Sequence, residues 1–134
     1  MASLYSSYKA IGYVTDGNPF FLNRLGDDNF LTTSIGKSFQ VYRTDRLVVC
    51  MVSQPCSGII RSILAIGHET FCAVESEIIV YNRTKIVRVY REHAFPVLGL
   101  ISIGKILISF DEGNVLTVKL SCSLDKKILV IVFV

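Results

Sequence analysis

The chain has 134 residues, 51% of them hydrophobic and 19% charged, which supplies a packed core and excludes the low-hydrophobicity, high-charge class of disordered chains. Its 14 Lys and Arg exceed its 11 Asp and Glu by a net charge of only +3, short of the clustered basic footprint of an autonomous nucleic-acid reader. The first residues lack a basic stretch followed by an apolar one, and the longest apolar run, residues 128–134, is far below the ~20 residues of a membrane-spanning helix, so a soluble intracellular protein is expected.

Strand-like segments follow one another at short intervals, broken by Gly, Asn, Asp and Pro, in the manner of an all-β chain. A first strand is expected over residues 8–15, ended by the turn Gly17-Asn18-Pro19. Strands at 20–25, 30–34, 38–43 and 47–52 follow, with tight connections at Gly26-Asp27-Asp28-Asn29 and Ile35-Gly36-Lys37. A second group comprises 59–66, 70–74, 78–82 and 85–91, and a third 97–103, 106–110 and 114–120. Residues 121–134 depart from this pattern. Their apolar end, 128–134, offers itself for the missing fourth strand but has no polar alternation, unlike an outer strand that guards its edge with charge.

The groups are copies of one another. Phe30-Leu31-Thr32-Thr33 with Gln40-Val41-Tyr42 is echoed by Phe71-Cys72-Ala73-Val74 with Ile79-Val80-Tyr81, and then by Ile106-Leu107-Ile108-Ser109 with Leu116-Thr117-Val118. Val41 to Val80 is 39 residues and Val80 to Thr117 is 37, close to the ~40–45 residues of a four-stranded propeller blade. Helical repeats of that length would show apolar spacing of three and four, which is missing here. The fold class expected is all-β, a partial WD40-type β-propeller of about three blades, not closed: a single unit over 1–134 with blade one at 20–52, blade two at 59–91, blade three at 97–120 and a divergent tail at 121–134. Closure takes roughly 4–8 blades, so three are expected to be part of something larger, and the strand at 8–15 stands where it would complete a last blade.

The strings Tyr8-Lys9-Ala10-Ile11-Gly12-Tyr13-Val14-Thr15, Thr32-Thr33-Ser34-Ile35-Gly36-Lys37-Ser38-Phe39-Gln40-Val41-Tyr42 and Asn114-Val115-Leu116-Thr117-Val118 carry a more specific likeness. Over roughly residues 8–118 the chain resembles the tandem-propeller WD-repeat subunits of the UTP-B subcomplex of the small-subunit processome. The chain has no Trp, and Tyr42 and Tyr81 stand where the WD pattern often places one at the end of the third strand. After Val118 the likeness ends, and the tail reads as that of a shortened product. The resemblance implies a non-catalytic scaffold for pre-18S ribosomal RNA processing, in the nucleus and nucleolus, among the protein subunits of a large pre-ribosomal ribonucleoprotein. A truncated product without a function of its own is the other outcome of such a tail.

Little in the chain asks for catalysis. His68 and His93 belong to no set of Cys, His, Asp or Glu with the spacing of a complete metal site, so no metal and no cofactor is expected. His93 precedes the first strand of blade three, where WD repeats commonly hold a His that hydrogen-bonds within the blade. The carboxylate pairs Asp27-Asp28 and Asp111-Glu112 adjoin Gly and Asn and read as turn residues rather than as an acid and a base. Cys50, Cys56, Cys72 and Cys122 read as reduced core residues or loop thiols. Asn82-Arg83-Thr84 matches a glycosylation acceptor and reads as a turn.

One string stands out. Arg83, Lys85, Arg88 and Arg91 lie within nine residues on the expected outer strand of blade two. They either contact RNA phosphates or an acidic partner, or simply keep an exposed strand edge from pairing with another chain. Edge protection is the expectation and direct RNA binding the alternative, with Tyr81 and Tyr90 as candidate base-stacking residues or, more simply, packing residues.

Overall fold

The computed structural model describes residues 4–6, 17–113, 115–120 and 129–132; the strand expected at 8–15 and Cys122 lie outside them. Every regular element within the described residues is a strand. In chain order these are β1 (Phe20–Leu25), β2 (Asp28–Ile35), β3 (Ser38–Arg43), β4 (Val48–Val52), β5 (Ser62–Ile66), β6 (Glu69–Val74), β7 (Glu77–Asn82), β8 (Lys85–Tyr90), β9 (Val97–Ile103), β10 (Ile106–Asp111), β11 (Val115–Leu120) and β12 (Leu129–Val132). They form three four-stranded sheets, β1-β2-β3-β4, β5-β6-β7-β8 and β9-β10-β11-β12, each an antiparallel meander. β12 comes from the apolar tail and pairs with β11 from Val115↔Val132 to Val118↔Leu129.

Turn chemistry sets the registers. The two-residue turns after β1, β2, β5 and β9 put Gly26, Gly36, Gly67 and Gly104 at positive φ, where the absence of a Cβ removes the steric penalty. Asp27 sits in the first of these turns, whereas Asp28 and Asn29, expected there too, already belong to β2. In the middle sheet the turns after β6 and β7 hold Glu75 and Arg83 at φ 51 and 57, a conformation uncommon for residues with a side chain. Of residues 59–61, expected to open β5, Ile60 instead reaches the first sheet, its N–H donating to Gly36 O at 3.0 Å, while Arg61 N–H donates to Ala73 O of β6 at 2.9 Å.

The sheets pack side by side as consecutive blades, with β5 against β1 on one side and against β9 on the other. Phe39 and Val41 of blade one pack on Ile63, Cys72, Ile79 and Tyr81 of blade two, and the Phe39 and Tyr81 rings meet edge to face at 4.9 Å. The opposite face of blade two, with Leu64, Phe71, Ala73, Ile78 and Val80, packs on Val97 and Leu107 of blade three. Blade two is therefore buried on both faces, which is why β6 and β7 read as nearly continuous apolar runs, while β1 alternates exposed and half-buried residues. The ring is not closed.

The third copy of the repeat is out of step by one residue. Thr117 pairs with Ser109, on the same side of the sheet as Leu107, and so faces blade two. Tyr81 likewise faces the preceding blade, whereas Val80 faces the next one. Thr117 is thus the counterpart of Tyr81 rather than of Val80. The cause is the longer connection between β10 and β11, where Phe110 pairs with Leu116, compared with the two-residue turn after Val74.

Candidate functional site

The basic string is divided by the fold. Arg83 occupies the turn between β7 and β8, and Lys85 opens β8; both are exposed, and neither makes an ion pair among the described residues. Arg88 Nη2 donates to Glu69 Oε1 at 2.5 Å, and its guanidinium carbon lies 5.9 Å from the Tyr90 ring centroid. Arg91 Nε donates to Glu77 Oε1 at 2.8 Å. Half of the string is therefore neutralised by carboxylates of its own blade. β8 is the outer strand, and its pairing with β7 shifts register opposite Val80 and Tyr81, which leaves Val87 as a bulge. A bulge and a row of charges both deter edge pairing. Tyr81 is fully buried, its hydroxyl donating to Gln54 O at 2.9 Å, and burial pushes that hydroxyl's pKa well above the ordinary value. It is closed to base stacking.

His93 is held as the sequence suggested. Its Nδ1 lies 2.7 Å from Asp111 Oδ2 and its Nε2 lies 2.7 Å from Ser109 Oγ. A carboxylate only accepts, so Nδ1–H donates to Asp111, and Nε2 accepts from the Ser109 hydroxyl when the ring is neutral. The other carboxylate oxygen, Asp111 Oδ1, accepts from the backbone N–H of Gly113 at 2.8 Å and of Val115 at 3.1 Å. Burial alone would raise the Asp111 carboxyl, but the hydrogen bonds from His93, Val115 and Gly113 and the attraction of His93 outweigh it and hold the group below its ordinary 3.8. The order Asp, His, Ser and the two short contacts match the distances of a catalytic triad. Here, however, the His and Asp side chains are 2% and 0% exposed, and Ser109 is buried as well. No substrate reaches the hydroxyl, and the network clamps the β10–β11 turn to the segment that leads into blade three. Asp111 and Ser109 were legible as a turn residue and a strand residue, but their joint role needed the register.

The remaining polar candidates are dispersed. His68 lies in the β5–β6 turn, and no group of three or more His, Cys, Asp or Glu among the described residues could hold a metal ion. Cys72 is a core thiol whose burial pushes its pKa up. Cys56 is a half-buried loop thiol that donates to Lys37 O and Gly58 O. Cys50, read as a core residue or a loop thiol, is neither: it is exposed on β4, the outer strand of blade one.

No protein-family model matches the chain. It is 32% identical over 85 residues to U3 small nucleolar RNA-associated protein 21 of Saccharomyces cerevisiae, 29% identical over 84 residues to its Schizosaccharomyces pombe homolog, and 26% identical over 120 residues to human WD repeat-containing protein 36. These matches take in 61%, 63% and 87% of the chain but 9%, 9% and 13% of the relatives, so the chain spans about a tenth of their length. Solved structures of U3-55K and of the RRP9 WD40 repeats superpose on 85% of the chain and 36% of their own length, with TM-scores of 0.71 and 0.70. At 11% identity they speak for the fold alone. Sequence and fold thus agree that the chain is an unclosed, partial WD-repeat propeller segment similar to part of U3 small nucleolar RNA-associated protein 21 and WD repeat-containing protein 36.

Proposed function

We propose that the chain is a non-catalytic protein-interaction scaffold of ribosome biogenesis, acting in the nucleus and nucleolus among the protein subunits of a pre-ribosomal ribonucleoprotein that processes pre-18S RNA. The observation that carries this reading is the 32% identity over 85 residues to a U3 small nucleolar RNA-associated protein. The buried His93 network fits it, since this constellation, with the layout of a nucleophilic triad, is sealed inside a blade. The exposed apolar side chains of β1 and β9 fit it too, because apolar patches rimmed by polar residues mark protein contacts.

The test is affinity purification of the tagged full chain from nuclear extract, with U3 RNA quantified in the eluate. Enrichment of U3 RNA over a tag-only control, preserved when the basic residues Lys85, Arg88 and Arg91 of the outer strand are neutralised, is the expected result. Recovery no better than the control contradicts the reading.

A further inference from the structure

Blades one and two do not meet along their whole length. Beside the core formed around Phe39 and Tyr81, the space between them opens into a cavity of about 230 Å³. The wall on blade one is mostly apolar, with Leu25, Phe30, Val41 and Met51 on the same sheet face and the polar Asn23 and Thr32 among them. Blade two answers with small groups, Ala65 and Thr70, so the wedge between the sheets stays unfilled. Arg83 and His68, both in turns of blade two, stand at its rim.

Arg83 is the unusual member. Four turns among the described residues use Gly26, Gly36, Gly67 and Gly104 at positive φ, whereas Arg83, like Leu47 and Glu75, holds a side chain there, at φ 57, and of these three it is the one that lines the cavity. Strain of this kind persists where the surroundings or a function favour the side chain over glycine. The guanidinium makes no hydrogen bond or ion pair with the described residues, unlike Arg88 and Arg91 a few residues on. An unpaired cation, with Lys85 near it, thus borders an apolar opening.

We propose that this cavity is a docking site for a protein segment that inserts an apolar side chain between blades one and two and pairs an adjacent acidic residue with Arg83. Size supports a side chain rather than a free metabolite. Cofactor and drug-sized pockets span roughly 300–1,000 Å³, whereas a cavity of ~150 Å³ already accommodates a benzene ring. The lining decides between protein and RNA: an apolar cleft suits Leu, Ile or Phe, while sequence-tolerant RNA binding uses exposed aromatic platforms and a basic groove. The docking site deepens the scaffold reading by naming the chemistry of a partner. It is tested in a purified system, so its failure leaves U3 association standing, and a failure of U3 association leaves peptide binding measurable.

The experiment is fluorescence anisotropy on the full chain with three probes: a fluorescein-labelled peptide with a Leu-Phe pair flanked by glutamates, the same peptide flanked by lysines, and a fluorescein-labelled oligouridylate. Arg83→Gly removes the guanidinium while suiting the φ of the turn, and Ala65→Leu fills the cavity. The acidic peptide is expected to bind and to lose about tenfold in affinity with Arg83→Gly, the scale of a charge-assisted hydrogen bond, and to lose binding with Ala65→Leu. The lysine-flanked peptide is expected not to bind. Circular dichroism melting of Arg83→Gly no lower than that of the parent chain shows that the loss is not unfolding. The proposal is overturned if the acidic peptide fails to bind at about 1 mM, the weak end of specific recognition, if both variants bind it as the parent does, or if the oligouridylate binds more tightly and is the probe that Arg83→Gly releases.

Discussion

His93 joins two partners that have no substitute. With His93→Ala, the buried carboxylate of Asp111 keeps its two backbone donors but loses its one side-chain donor among the described residues, and the Ser109 hydroxyl loses its partner in the same step. Breaking a buried charged hydrogen bond from one side typically costs about 3 kcal/mol, a large share of the stability of a small domain, and urea unfolding is the measurement. The pH dependence follows from Asp111. Its carboxyl is held below 3.8 in the folded state, so the unfolded chain takes up the proton first. Its contribution is complete above that value and is lost as pH falls through the lower folded value. Asp111→Asn is expected to flatten this acid limb in melts below about pH 4, and an unchanged limb would remove Asp111 from the account. Thr117 makes the opposite case. Its Oγ1 is buried with no hydrogen-bond partner among the described residues, so Thr117→Val is expected to leave stability unchanged or to raise it by about 1 kcal/mol.

At the level of elements, the strand series was readable because the turns announce themselves. Gly-containing pairs separate apolar runs of five to eight residues, and β1, β3 and β9 lie where the periodicity puts them. Three things escaped. The parity of β11 depends on the length of the β10–β11 connection, which a repeat alignment absorbs as a gap. The ion pairs of Arg88 and Arg91 depend on β8 lying beside β7 and reaching Glu69 and Glu77, so a basic string in sequence is half neutral in space. The cavity between blades one and two depends on small residues of one sheet facing large ones of another, and no local pattern encodes that. For β8 the expectation is that neutralising Arg83, Lys85, Arg88 and Arg91 lowers soluble yield, because charges guard an outer edge. RNA affinity is expected to be weak beforehand. Were phosphate contacts the role, each lost contact would lower the logarithmic salt slope by roughly 0.7 on single strands. For the tail, deletion of residues 119–134 is expected to change solubility more than β content, since β12 contributes four paired residues and the run 128–134 has the apolar, uncharged character of an aggregation-prone segment.

On the scale of the whole molecule, a blade is stable when both of its faces are covered, and among the three blades only the middle one has two neighbours. Phe20 and Leu22 on β1 are 64% and 60% exposed, and Ile101 and Ile103 on β9 are 50% and 63% exposed. These residues mark the outward faces of an open arc, and apolar patches of this kind favour association. An open arc built this way is stabilised by being covered, whether by further blades or by another chain. The measurement that tests this most directly is light scattering of the purified chain across a range of concentrations, paired with thermal melting. A mass that climbs above the 14.9 kDa of one chain as concentration rises, with a broad or low melt, is the predicted result. A concentration-independent 14.9 kDa monomer that melts cooperatively above about 55 °C, as a self-sufficient mesophilic domain does, would contradict it.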